Sequence, residues 1–251
     1  MRFSGWMGLA ALAAALAGCA TVPPPAPDIA ASPWGQVSLG PARAVSVRPS
    51  WTHYPLPGKT PTEFHYERSD GREAIMATAK SAASMLRQPL RIEPGDLGGV
   101  RFSWKVPELM AEADLARRDR ADSPVRVILA FEGDRSRLSA RDRATGELVR
   151  ALTGEEMPYA TLMYVWCNQR APGSVIHSTR SGRIRKLVVE SGARNLNRWL
   201  DYERDIRADY RLAFGEEPGA LVGVAIMTDS DNTHSTARAW YGPLELTAGA
   251  R

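Results

Sequence analysis

The chain has 251 residues, 44% hydrophobic and 24% charged, with 7 Trp and 7 Tyr. That is enough apolar material for one large folded domain or two small ones, and it excludes a disordered or fibrous chain. Net charge is +4 with 28 acidic residues interspersed among 32 basic ones, which argues against a nucleic-acid partner, and two cysteines (Cys19 and Cys167) are too few for a disulfide scaffold.

Residues 1–18 read as a signal peptide. Arg2 supplies the positive start, and "MGLAALAAALA" (residues 7–17) supplies an apolar stretch too short for the ~20 helical residues that span a bilayer. The stretch ends in "LAGC" (residues 16–19), small residues leading to a cysteine. This ending resembles the bacterial lipobox. The resemblance implies cleavage before Cys19 and a lipidated, palmitate-type anchor on that residue, each buried methylene contributing about 0.8 kcal/mol of membrane affinity. Ala20 in place of Asp implies the outer rather than the inner membrane, with the domain facing the periplasm or the surface. The alternative is a plain secretory signal in which Cys19 is incidental. Residues 19–35, rich in Pro and Ala, read as an extended tether, and a single domain is expected over 36–248.

Strand signals dominate from there. Residues 62–69 and 72–80 alternate and flank Asp70-Gly71, a hairpin signal. Residues 84–92 and 99–106 form two further strands around a Pro-Gly-Asp turn. "VRVILAF" (residues 125–131) is continuously apolar and is expected at the centre of a sheet covered on both faces. Residues 135–152 have helical spacing, with Leu138, Leu148, Val149 and Leu152 as one face and Gly146 as a weak point. Residues 159–167 and 183–191 return to strand character. Residues 199–215 read as a strand followed by a short helix stopped by Gly215, and residues 220–229 and 235–246 complete the strands. Nine or ten strands, mostly in meander order, with one or two short helices inserted, predict a mainly β fold: a jelly-roll-like β-sandwich.

Several stretches carry a family likeness: "MPYATLMYVWCNQRAPGSVI" (157–176), "DYRLAFGEEP" (209–218), "AIMTDSDNT" (225–233) and "ARAWYGPLEL" (237–246). Together they resemble the bacterial family DUF3047, over roughly residues 51–246. The resemblance implies a jelly-roll sandwich similar to carbohydrate-binding modules and implies no activity. Two positions depart from the pattern: Ala121-Asp122 stands where an acidic pair is expected, and Cys167 where a small polar or acidic residue is expected.

Catalytic signatures are missing: the chain has no GxSxG, HExxH, CxxC or GxGxxG. "PGKT" (57–60) is not a Walker A loop, because the required glycine position is His53. His53, His65, His177 and His234 have no ligand spacing and read as surface or hydrogen-bonded residues. In "TDSDNT" (228–233), Asp229, Asp231 and Asn232 are candidate Ca²⁺ ligands, although an EF-hand would have Gly where His234 stands; the alternative is a turn closed by its own side chains. Tyr159, Tyr164, Trp166, Trp240 and Tyr241 offer rings on which sugar faces could stack, or else fill the core. Alternation puts Tyr164 and Trp166 on one face, with Asn168 at the strand end. Glu155, Glu156, Asp122, Asp229 and Asp231 are the carboxylates available for acid–base work, and Cys167 lacks a readable His partner.

The expectation is therefore an envelope lipoprotein carrying a non-catalytic module for a glycan or polysaccharide, with no obligatory cofactor. The expected ligand contacts are Asp122, Arg126, Tyr164, Trp166, Asn168, Asp229, Asp231 and Asn232. The alternatives are an envelope carbohydrate hydrolase using a carboxylate pair around Asp122 and Asp229, and a structural lipoprotein that docks on a protein partner.

Overall fold

The computed structural model describes residues 29–38 and 51–249. The expected signal peptide, the lipidated Cys19 and the tether up to residue 28 lie outside the described residues. Residues 29–35, also expected as tether, pack on the domain instead. A 3-10 turn (Ile29–Ala31) leads into α1 (Pro33–Val37), capped by the Ser32 hydroxyl, which accepts from the Gly35 amide at 3.1 Å. Pro33 begins this helix at a position where its missing N–H is not needed. Trp34 is fully buried, its ring centroid 4.9 Å from that of Trp51. Burying an indole outweighs the entropy of fixing a short segment, so the folded unit begins before residue 36.

The strands follow in chain order: β1 (Thr52–Pro55), β2 (Glu63–Ser69), β3 (Arg72–Lys80), β4 (Ala83–Ile92), β5 (Leu97–Lys105), β6 (Ser123–Phe131), β7 (Ala160–Cys167), β8 (Val175–His177), β9 (Ile184–Ser191), β10 (Leu200–Asp205), β11 (Leu221–Asp229), β12 (Thr236–Tyr241) and β13 (Glu245–Ala248). They form two sheets, a seven-stranded one in the order β1-β4-β11-β6-β7-β9-β8 and a six-stranded one in the order β10-β5-β12-β3-β2, with β13 on β5. The chain is a β-sandwich. Asp70 and Gly71, at φ 52° and 79°, make the tight turn between β2 and β3. VRVILAF lies in β6, the middle strand of its sheet, as its unbroken apolar run requires.

The meander order is not what forms. β4 and β5 are adjacent in sequence but lie in different sheets, because each layer must find an opposing apolar face. β1 and β8 escaped the sequence reading because they are short, four and three residues at the sheet margins.

Three helices occur among the described residues. α2 (Ala140–Thr153) starts later than its spacing suggested, because Ser139 caps it and Arg135–Arg137 is a separate 3-10 turn. It buries none of its residues, and Leu148 and Leu152 are 60% and 65% exposed. α3 (Ile206–Phe214) ends at Gly215 in the left-handed conformation. No helix among the described residues is long and apolar enough to cross a membrane.

The core lies between the sheets. Leu86, Val127, Leu129, Leu162, Tyr164, Trp166, Leu187 and Ile226 face Ile75, Ala77, Val100, Phe102, Trp104, Ala239 and Tyr241. Phe102 and Tyr164 stack across the layers at 5.5 Å. At one end α3 inserts Tyr210 against Phe131, and Asp209 accepts from the Tyr164 hydroxyl at 3.0 Å and from Arg204.

Candidate functional site

On each strand of the seven-stranded sheet, the residues between the core positions face outward. One row of paired residues crosses five strands: Arg87 on β4, Ala225 on β11, Ile128 on β6, Met163 on β7 and Lys186 on β9. At the usual strand spacing this row is roughly 19 Å long. It carries a cation at each end and apolar side chains between.

The β5–β6 connection covers part of this outer face by packing Leu115 on Val165, Cys167, Ile176 and Val188. Beside it the sheet is open and forms a cleft of about 580 Å³, floored by the apolar part of the row together with Met85 and Met227, and walled by α2 through Val149 and Leu152. Arg87 bridges sheet and helix by a bidentate pair with Glu155 at 2.5 and 2.6 Å, and its guanidinium lies 3.9 Å from the centroid of the Tyr54 ring.

A polar network lies along the edge of the cleft where β6 meets β11. Arg126 and Asp229 form a buried bidentate pair, Nε–Oδ1 2.9 Å and Nη2–Oδ2 2.8 Å, with side chains 3% and 7% exposed. Arg126 Nη2 also donates to the Ala121 carbonyl at 2.5 Å, and the Ser123 amide donates to Asp229 Oδ1 at 3.0 Å. Burial pushes the Asp229 carboxyl up, against the pull of the Arg126 guanidinium. Pro124 cannot donate to a ladder, and the β6–β11 register slips between Met227 and Asp229. Two hydroxyls repair the gap: Thr228 donates to the Pro124 carbonyl at 2.8 Å, and Tyr241, reaching from the other sheet, accepts from the Arg126 amide and donates to the Met227 carbonyl at 2.6 Å. Burial pushes the Tyr241 phenol up, which keeps it a donor.

Five of the expected contact residues converge here: Asp122, Arg126, Asp229, Asp231 and Asn232. Asp122 accepts four hydrogen bonds from the amides and side chains of Asn232 and Thr233, and Asp231 pairs with Lys59. The carboxylates of Asp122, Asp229 and Asp231 lie within 4.8 Å of one another. They do not fit Ca²⁺: both oxygens of Asp229 and both of Asp122 are engaged by donors, and Asp231 is neutralised by Lys59. The alternative reading of "TDSDNT", a turn closed by its own side chains, needs correction too: Asp122, from outside the segment, closes the turn by accepting from the Asn232 and Thr233 amides.

The other three are placed elsewhere. Tyr164 and Trp166 share a face as expected, but it is the core face, opposite to Arg126, and they are fully buried. Val165, between them, is the residue paired with Arg126. Asn168 Nδ2 donates to the Met110 carbonyl at 2.7 Å and holds the β5–β6 connection. Trp240 lies on the outer face of the six-stranded sheet, bonded to Glu67, and Tyr159 is buried beside Arg183. Glu155 and Glu156 pair with arginines, Cys167 is buried, and all four histidines are exposed.

Lys186 was missed by the sequence reading. Its signal is a lysine inside the strand run "RIRKLVVES", which must either reach solvent or be buried at a cost. It is 6% exposed, and its ammonium donates to the Leu115 carbonyl at 2.7 Å. Burial, aided by Arg126 and Arg180 and opposed by Asp229 and Asp114, pushes it down to about 7.

Two outcomes follow from these groups. Arg126→Met leaves the Asp229 charge buried without its partner and should destabilise the protein by about 3–5 kcal/mol in denaturant unfolding, with the double variant Arg126→Met/Asp229→Leu recovering much of that. A double variant no better than the single would show that the pair is not the compensating element. For Lys186 the folded value lies below the ordinary 10.5, so between these limits the unfolded chain binds the extra proton. Stability therefore rises with pH from about 7 toward 10, by up to about 1.4 kcal/mol per pH unit from this group. Lys186→Met should remove that rise, and parallel pH profiles for the two proteins would refute it.

The sandwich resembles a solved structure, the xyloglucanase domain of NopAA, a type three effector from Sinorhizobium fredii, in complex with cellobiose. Identity is 9%, 83% of this chain and 98% of that chain are covered, and the TM-score is 0.41. No curated protein matches the chain. The family described as "Protein of unknown function (DUF3047)" matches residues 49–245, which include both sheets and the cleft floor. This chain belongs to the DUF3047 family.

Proposed function

We propose that this chain is a lipid-anchored envelope protein whose sandwich is a non-catalytic binding module, with its ligand in the cleft on the outer face of the seven-stranded sheet. The observation that carries the reading is the cleft itself: an apolar floor three strands wide, bounded by charged side chains that fix orientation. A hydrolase would need a carboxylate free to give or take a proton beside a second one. Asp229 is committed to Arg126 and Asp122 to the turn at Asn232 and Thr233, so the pair named for that role serves the scaffold. The anchoring part rests on Arg2, the apolar run and "LAGC".

A glycan is the second reading of the same cleft. Asp231, Asn232 and Arg180 at its mouth supply donors and acceptors for hydroxyl groups.

Cys19→Ser should leave the domain folded and move it from the membrane to the soluble fraction of cells; undiminished membrane fractionation would overturn the anchor. For the cleft, calorimetry against a panel of polysaccharides and long-chain amphiphiles should find saturable binding that weakens at least about tenfold in Ala225→Phe, which fills the floor, and in Leu152→Asp on the exposed rim. Binding that both variants retain, or a panel with no binder, would place the function elsewhere.

A further inference from the structure

The charges lining the cleft almost cancel in pairs. Arg87 is matched by Glu155, Arg126 by Asp229, Lys59 by Asp231, and Glu156 by Arg135 and Arg150. Among the described residues, two lining cations have no carboxylate within ion-pair distance: Lys186 and Arg180. Lys186 is the unusual one. An ammonium at 6% exposure with a single carbonyl partner is desolvated without a carboxylate in contact, the charges of Asp229 and Asp114 being spent on Arg126 and Arg170, which is costly unless something else supplies one. Arg180 is exposed at the mouth, its Nη2 3.4 Å from Asn232 Oδ1, close enough to Lys186 for their charges to interact.

From Lys186 the floor runs through Met163, Ile128 and Ala225 toward Arg87, without a polar side chain in the row until the far end. Thioethers on this floor adapt to a flexible apolar chain better than to a rigid ring. Among the described residues, Tyr54 is the one aromatic residue lining the cleft, and the Arg87 guanidinium already lies over it. A sugar therefore has no open ring to stack on.

We propose that the occupant is a long-chain carboxylate, its head between Lys186 and Arg180 and its chain lying across the strands toward Arg87. This rests on the cleft being the binding site and names the ligand class for it. A single negative charge matches the single buried ammonium, and the apolar wall of α2 covers the chain through Val149 and Leu152. Leu148, one turn before Leu152 on the same helix, is a further exposed apolar side chain.

The test uses the purified mature chain and the fluorescent fatty acid cis-parinaric acid. Expected are saturable binding at one probe per chain, displacement by palmitate at least about tenfold better than by hexadecanol, and loss of that preference in Lys186→Met and its weakening in Arg180→Gln. Arg180 is exposed, so the second variant keeps the test open if the first folds poorly. Leu152→Asp should weaken both ligands alike. Equal displacement by palmitate and hexadecanol, or displacement by hexadecyl phosphate tenfold better than by palmitate, overturns the carboxylate. Binding of cellohexaose that Leu152→Asp weakens, with no binding of parinarate, overturns the amphiphile and keeps the cleft as the site. Binding of either probe that is unchanged in both Leu152→Asp and Ala225→Phe removes the cleft itself.

Discussion

The Arg126–Asp229 pair is the contact on which the polar edge of this sheet depends. Two opposite charges buried at the junction of neighbouring strands fix the register there, because a slip would leave each without its partner. The same pair reaches backward and forward along the chain. Arg126 takes the Ala121 carbonyl and Asp229 takes the Ser123 amide, so the entry to β6 and the exit of β11 are held together. Asp122, one residue from each of these contacts, then closes the turn at Asn232 and Thr233. A proline in β6 leaves a break in the ladder at this point, and Tyr241 from the opposite sheet supplies the missing hydrogen bonds. Through Tyr241 the two sheets are thus joined by polar contacts as well as by packing.

Strand alternation decides what the open face presents. The large rings go to the inner face, where Tyr164, Trp166, Phe102 and Trp104 fill the space between layers. The residues left on the outer face of the seven-stranded sheet are Ala, Ile and Met with charged neighbours, which makes a trough that is apolar and without open rings. That chemistry moves the ligand from a stacked sugar toward a flexible chain. The β5–β6 connection and α2 then set the size of the trough by covering it on two sides, and α2, with no residue buried, serves mainly as its wall.

Lys186 ties the scaffold to the proposed role. A buried ammonium beside Arg126 is a local destabilisation, and desolvated titratable groups in a cleft cluster at functional sites. The carbonyl of Leu115 gives it one hydrogen bond and no charge, and the carboxylate of the proposed ligand would supply the counter-ion.

By itself the sequence determined the class of fold and much of its local detail. Alternation and turn residues located the hairpin at Asp70-Gly71, the central strand VRVILAF and the strand-to-helix junction that ends at Gly215, because these depend on backbone preferences and on periods of two and 3.6 residues. The sequence also named Asp122, Arg126, Asp229, Asp231 and Asn232 among the expected ligand contacts, but nothing in their spacing brings them together. Only the tertiary structure decided which face of β7 looks inward, and that turned Tyr164 and Trp166 from ligand contacts into core. Only it placed Lys186 opposite Met163, through a parallel pairing of two strands separated by a long connection and an intervening strand. It also drew Ile29–Ala31 and Trp34 into the domain. Periodicity says which residues share a face; which face is covered, and by what, depends on contacts between segments far apart in the chain.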